Sequence, residues 1–446
     1  MDIFDLAITG GGPAGFNAAL RAAEAGLRTV LIEKNKLGGV CLSDGCIPSK
    51  AMLHSAKLYT RARSSEAFGI KCGNVRFDLN TALARKEKIM AQLGAGIEAR
   101  LKKAGVTVIN AAAHIDSREG ELFKLSADSA PLISKRLLIC TGSRAAMPQI
   151  PGADRPNIFE ISEVFRLREL PESAVIIGSG ASGLEAADFL NQLGCRVTVI
   201  EQRGRTASET DEEISLFLQR ALKKNGIKIM TSCRAVSFSE RGIECEYSDG
   251  RTQTVGAQAI FCATGRAACC DGLGTENIGL SGIDVNSRMQ TKVKNIYAAG
   301  DVTGKSMLAH TAYREGEVAV NNMLGRNDSM DYGAVPQVIY TSPEAASVGE
   351  TLESALAKGI DAECRRESMR ISGRFLAEED GDGICKIIID SRTGRILGMH
   401  IAGGCASELI YGAEIAISNQ MSLEQMKKNV FPHPTVGEAI REAIFK

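Results

Sequence analysis

The chain has 446 residues, 44% hydrophobic and 24% charged, with Lys+Arg and Asp+Glu equal at 53 each. This balance excludes the basic footprint of a nucleic-acid binder or of a protein drawn to anionic membranes, and the length allows about three ordinary domains. Thirteen cysteines, an odd number without framework spacing, point to reduced thiols in a cytoplasmic setting rather than to an extracellular disulfide scaffold.

No stretch reads as a signal peptide or a transmembrane helix. Residues 3–9 are an apolar strand pattern leading into Gly10-Gly11-Gly12-Pro13-Ala14-Gly15. A helix pattern runs on to Ala25 with Gly26 as C-cap, and a strand from Arg28 to Ile32 ends at Glu33. In that strand–turn–helix–strand setting, G-x-G-x-x-G lets backbone N–H groups meet a pyrophosphate at a helix N-terminus. The acid then accepts a ribose hydroxyl.

Next come Cys41 and Cys46, with four residues between them and glycines on both sides. Their sulfurs can meet across one tight loop, which makes a redox disulfide feasible. Pro48 suits the first turn of a helix and so places Cys46 at its N-terminus, where the dipole and Lys50 favour a thiolate. Residues 80–103 read as a long amphipathic helix and 106–139 as short strands and turns.

The dinucleotide unit then recurs. Ala174–Ile177 lead into Gly178-Ser179-Gly180-Ala181-Ser182-Gly183, followed by a helix to Leu193, Gly194 and a strand ending at Glu201, with unchanged spacing from first glycine to acid. Two such sites and a cysteine pair imply electron passage between a flavin and a nicotinamide. Glu201 would repel a 2′-phosphate and so favours NAD over NADP; the nearby Arg203 and Arg205 are read as a solvated turn. From about Val335 the pattern changes to strands, Pro336–Tyr340 and Cys385–Asp390, with helices expected after each.

GGVCLSDGCIPSK, residues 38–50, resembles the redox segment GGxCxNxGCIPSK of the pyridine nucleotide–disulfide oxidoreductases, most closely of the dihydrolipoamide dehydrogenase branch. Ser43 replaces the usual Asn, and Asp44 stands where Val is frequent. Leu137–Ser143 resembles the strand that closes the first flavin segment, Ile260–Arg266 the one that closes the nicotinamide segment, and Asn295–Asp301 the second flavin motif. Met307-Leu308-Ala309-His310 resembles the dehydrogenase branch, and His433-Pro434-Thr435 with Glu438 matches its H-P-T-x-x-E. Two departures stand out: Phe431 replaces the first histidine of H-x-H-P-T, and Ala267-Ala268-Cys269-Cys270 replace Arg-Pro-Asn-Thr. The cysteine pair 269–270 is read as a surface variation.

The resemblance implies an α/β fold of two Rossmann-like domains and a C-terminal α+β dimerisation domain. FAD would bind 1–146 and a returning segment 269–332, NAD would bind 147–268, and 333–446 would form the dimer. Flavin contacts are expected at Gly10, Gly12, Pro13, Ala14, Gly15 and Glu33, then at Gly39, Val40, Cys41, Lys50 and Ala113. They continue at Thr141, Gly142, Ser143, Asp301 and the Met307, Leu308, Ala309, His310 run. Nicotinamide contacts are expected at Gly178, Gly180, Ala181, Ser182, Gly183, Glu201, Ala235 and Gly265.

The resemblance further implies catalysis by Cys41 and Cys46. Lys50 lies beside the flavin and pairs with Glu185, while His433, oriented by Glu438, serves the partner subunit's disulfide. The expected reaction is oxidation of dihydrolipoamide with NAD⁺ in a homodimer. Its carrier would be a separate lipoyl-bearing protein of a 2-oxo acid dehydrogenase or glycine cleavage complex. The rivals are a reductase driving another small disulfide with NAD(P)H, a mercuric reductase, and a purely scaffolding subunit. Glu201 argues against the 2′-phosphate recognition of an NADPH-driven reductase, the Ala443–Lys446 terminus lacks the cysteine pair of a mercuric reductase, and the intact cysteines and His433 argue against a mere scaffold. No metal cluster is expected, and His54, His114 and His400 are read as structural.

Overall fold

A computed structural model describes residues 3–378 and 381–446. The fold is mixed α/β, in two compact units: Met1–Ala51, Asn80–Ala146 and Gly265–Asp331 in one, Met52–Leu79, Met147–Thr264 and Tyr332–Lys446 in the other.

In the first unit a parallel five-stranded sheet runs in the order Ile296–Ala298, Leu137–Ile139, Leu6–Thr9, Thr29–Glu33, Thr107–Asn110. Every residue of Leu6–Thr9 and Thr29–Glu33 is buried, as both faces of a parallel sheet must be. The strand order reverses beside Leu6–Thr9, which opens the ligand crevice at its C-terminal end. Helix Pro13–Glu24 starts there, with proline in its first turn. A second sheet pairs Ile3–Phe4 with the meander of Ala130–Ser134, Leu122–Ala127 and Ala113–Glu119. The helix expected at 80–103 is Leu79–Lys103 and buries Ala82, Lys86 and Leu101.

The second unit repeats the parallel sheet as Ile158–Glu160, Ala259–Cys262, Ser173–Ile177, Arg196–Ile200, Lys228–Met230. Its helix Ala181–Gln192 follows the second glycine loop. The C-terminal part has its own antiparallel sheet, ordered Gln337–Ile339, Ala345–Gly349, Ile396–Ala402, Ile384–Asp390, Ala362–Ser368. Ile387, Met399, Ile401, Ile410 and Ile444 share its core.

Helices do come after the strands near 336–340 and 385–390, as expected, but not directly. Each strand first turns into an antiparallel partner, Ala345–Gly349 and Ile396–Ala402, and the helices Leu352–Ala357 and Ala406–Ser418 come after. Short apolar runs carry too little period to separate a strand from a buried helix.

Asp211 and Lys386 form a buried ion pair in this unit. Asp211 caps helix Glu212–Lys224 through the N–H groups of Glu213 and Ile214, and both its oxygens accept from Lys386 Nζ at 2.8 Å. The two side chains are 0% and 6% exposed.

Candidate active site

Cys41 lies in the short helix Gly39–Ser43, and Cys46 is the first residue of the 18-residue helix Cys46–Arg63. The N–H groups of Asp44 and Gly45 both donate to the Val40 carbonyl, at 2.9 and 2.7 Å, and fold the intervening loop back. The Cys41 thiol is hydrogen-bonded to Cys46. That bond first, then burial, raises Cys41 far above the ordinary thiol value, while Lys50 pulls the other way. A proton held on Cys41 by its neighbour leaves Cys46, at the positive end of the helix, as the sulfur suited to negative charge. Both sulfur-bearing residues are half-buried. Ser43 Oγ donates to the Gly39 carbonyl at 3.1 Å and to Asp44 Oδ2 at 2.5 Å, so the two residues that depart from the family pattern brace the loop between them.

At three of its glycines the cradle has no space for a side chain. At Gly10 (φ +101°) a Cβ would stand 2.2 Å from the Cys140 carbonyl oxygen; at Gly15 it would stand 1.8 Å from the Gly10 oxygen, and at Gly39 2.7 Å from Gly12 Cα. Gly12 caps the helix of Pro13, Ala14 and Gly15. Glu33 Oε2 accepts the Gly11 N–H at 2.6 Å and Oε1 that of Asn35 at 2.7 Å. Ala111 N–H donates to the Glu33 carbonyl, and Ala113 opens the next strand. Thr141 Oγ1 is buried with no partner among the described residues, and Gly142 follows at φ +75°. Ser143 Oγ donates to the Asp301 carboxylate and accepts from Arg266 Nε at 2.7 Å. Leu308 caps helix Ala309–Met323, so Met307 precedes it and Ala309 and His310 open it. A backbone-lined cradle at a helix N-terminus, with an orphaned hydroxyl beside it, fits a dinucleotide such as FAD.

The second loop matches the first. A Cβ on Gly178 (φ +99°) would stand 2.3 Å from the Ala263 oxygen, and one on Gly183 2.1 Å from the Gly178 oxygen. Gly180 caps the helix that Ala181 and Ser182 begin. Glu201 Oε2 accepts both the N–H and the hydroxyl of Ser179, at 3.0 and 2.5 Å, and Oε1 accepts the Arg203 N–H at 2.8 Å. Ala235 lies beside a bulge in strand Cys233–Ser239, and Gly265 has φ +104°. A backbone-lined cradle at a helix N-terminus fits a nicotinamide dinucleotide here.

Glu185, 4% exposed, accepts the Tyr340 N–H at 3.1 Å. One turn later Asp188, 1% exposed, accepts from Ser342 N and Gln192 Nε2 at 2.8 and 2.7 Å, leaving Oδ1 buried with no partner among the described residues. Burial pushes its carboxyl up to about 7, against the opposing bonds and Lys57. His433 Nδ1 meets Glu438 Oε1 at 2.7 Å, and Thr435 N–H donates to the other oxygen at 3.1 Å. Phe431, in the place of the missing histidine, packs on the core of the C-terminal sheet.

Tyr313, Arg266, Asp188 and the Ser179 hydroxyl escaped the sequence reading. Tyr313 lies near the sulfurs, its phenol raised by burial and then by Cys41 and Cys46. Ser179 occupies an unrestricted position of G-x-G-x-x-G, so no pattern singles it out. His400 is buried with Nε2 at 3.0 Å from the Glu350 carbonyl, and His114 Nδ1 is 3.0 Å from that of Gly272. Cys269 and Cys270 are half-buried. No group of three His, Cys, Asp or Glu that could hold a metal occurs among the described residues, nor any helix long and apolar enough to cross a membrane.

Residues 4–316 match the family model described as pyridine nucleotide-disulphide oxidoreductase, and residues 335–444 match its dimerisation domain. The chain is 36% identical to dihydrolipoyl dehydrogenase of Bacillus subtilis, covering 99% of this chain and 97% of the relative. It is also 36% identical to the mitochondrial dihydrolipoyl dehydrogenase of Pisum sativum, over 98% and 90%. Among solved structures it is similar to LpdA from Mycobacterium tuberculosis, with a TM-score of 0.90 and 27% identity over 100% of this chain and 99% of that one.

Proposed function

The chain belongs to the pyridine nucleotide-disulphide oxidoreductases, and we propose that it oxidises protein-bound dihydrolipoamide to lipoamide. It is a flavin disulfide oxidoreductase that uses FAD and NAD and carries a dimerisation domain. The observation that carries the assignment is the Cys41 thiol bonded to Cys46 at the first residue of a long helix. Near full-length likeness to two dihydrolipoyl dehydrogenases supports it.

FAD would be held by Gly10, Gly12, Pro13, Ala14, Gly15 and Glu33, by Gly39, Val40, Lys50 and Ala113, and by Thr141, Gly142, Ser143, Asp301 and the Met307–His310 run. NAD would be held by Gly178, Gly180, Ala181, Ser182, Gly183, Glu201, Ala235 and Gly265. One substrate thiol attacks Cys41 of the Cys41–Cys46 disulfide; its proton goes to His433 of the partner subunit. The S–S bond breaks, a mixed disulfide forms at Cys41, and Cys46 leaves as a thiolate stabilised by its helix. The second substrate thiol then closes the lipoyl ring and releases Cys41 as a thiol. Glu438 fixes Nδ1 of the imidazole, so that Nε2 handles the proton and the charged ring is stabilised. Lys50 would supply positive charge to a bound flavin. Bound FAD would supply two-electron redox chemistry between the reduced Cys41 and Cys46 and the nicotinamide site. The working form is a homodimer in the cytoplasm, and the partner is a lipoyl-bearing protein of a 2-oxo acid dehydrogenase or glycine cleavage complex.

Parallel assays of the yellow protein test this: NADH formation from dihydrolipoamide and NAD⁺, beside NADP⁺, and beside NADPH with glutathione disulfide. Fast turnover in the first assay alone is expected, and Cys46→Ser should abolish it while flavin stays bound. A fully active Cys46→Ser enzyme would remove the scheme.

A further inference from the structure

We propose that Glu209 is a specificity-determining residue for the nicotinamide nucleotide, excluding a 2′-phosphate by occupying Arg203. The inference rests on NAD as the nucleotide of the second site. Arg203 follows the ribose-reading acid by two positions, and its backbone N–H is bonded to that acid, Glu201 Oε1, at 2.8 Å. Its side chain therefore springs from the place where a guanidinium could meet a phosphate on the ribose. Instead the guanidinium folds back to Ser208 Oγ, at 2.7 Å, and to the carboxylate of Glu209.

The turn that presents Glu209 is itself pinned. Arg205 donates to the carbonyls of Thr210 and Ser208 at 3.0 and 3.2 Å, and Ala207 N–H donates to the Ser179 carbonyl at 3.0 Å. Arg205 is thus spent on the backbone and Arg203 on Glu209. The first site has the corresponding backbone bond, from Asn35 N–H to Glu33, but an asparagine where the second has arginine. A cation two residues after the acid would weaken discrimination against a dianionic 2′-phosphate, and Glu209 cancels it. The two side chains are 55% and 70% exposed, so solvent screens the pair and the effect is modest.

The test is calorimetric binding of ADP-ribose and 2′-phospho-ADP-ribose to the flavin-loaded enzyme, with Glu209→Gln, Arg203→Gln and the double variant. Glu209→Gln should raise the affinity for the 2′-phosphorylated ligand relative to ADP-ribose by about two- to fivefold. The double variant should fall back to the ratio of Arg203→Gln alone. An unchanged ratio in Glu209→Gln, or a double variant that keeps the gain, would overturn the proposal while leaving the NAD assignment intact. Wild-type preference for the 2′-phosphorylated ligand would instead sink that assignment, and the proposal with it.

Discussion

Glu438 holds His433 and the backbone at once, taking Nδ1 on one oxygen at 2.7 Å and the Thr435 N–H on the other at 3.1 Å. The His433 bond first, then the backbone bond, keeps the Glu438 carboxyl below its ordinary range. His433 is 78% exposed and Glu438 20%, so the carboxylate is the fixed member and the imidazole the one presented outward.

Glu438→Gln keeps the shape of this contact but removes its charge. Turnover of dihydrolipoamide should fall by about ten- to a hundredfold. Reduction of an artificial dye by NADH needs no thiol proton and should keep its rate. Equal losses in both assays would mean that Glu438 supports the fold rather than the proton transfer.

The two glycine loops should fail separately. Gly10→Ala, with its Cβ 2.2 Å from a carbonyl oxygen at a positive φ, should yield protein that purifies without flavin colour. Gly178→Ala, at 2.3 Å and φ +99°, should stay yellow yet lose affinity for NAD⁺. Absorbance at the flavin band and the KM for NAD⁺ check both.

Asp188 couples stability to pH. Its folded value of about 7 lies above the ordinary 3.8, so between those values the folded state holds more protons than the unfolded one. Stability from this group is full below about pH 4 and drains as pH rises through 7, a loss on the order of 4 kcal/mol. Asp188→Asn should match the parent near pH 4 and exceed it at pH 8.5 by roughly 2 to 4 kcal/mol in urea unfolding. A constant difference between the two proteins across pH would refute the link.

Lys386→Met should cost about 3 kcal/mol, because Asp211 would remain buried without its cation. Adding Asp211→Asn, which keeps a cap for Glu212–Lys224, should restore part of the loss. Thermal or urea unfolding of both variants decides it.

Where the chain must pass through a positive φ or bring two backbones together, the residue type betrays the fold, and both dinucleotide units could be read at Gly10, Gly15, Gly178 and Gly183 for that reason. Cys46 at a helix start was legible through Pro48. The C-terminal hairpins were not, since Ala345–Gly349 is too short for its period to be told from a helix. Contacts distant in sequence left no trace either: Asp211 and Lys386 are 175 positions apart. Asp188 lies one helical turn beyond Glu185, and nothing in its surroundings in the sequence marks it as buried.

Each acid proposed to read a ribose is tied to its own glycine loop, Glu33 through Gly11 and Glu201 through Ser179. An incoming nucleotide therefore meets a carboxylate whose rotamer is already chosen, and binding need not freeze a mobile side chain. The bonds also bind length to purpose. Aspartate, one methylene shorter, would have to release the loop amide or withdraw from the ribose, so a change conservative in charge would still separate the two tasks that one glutamate performs.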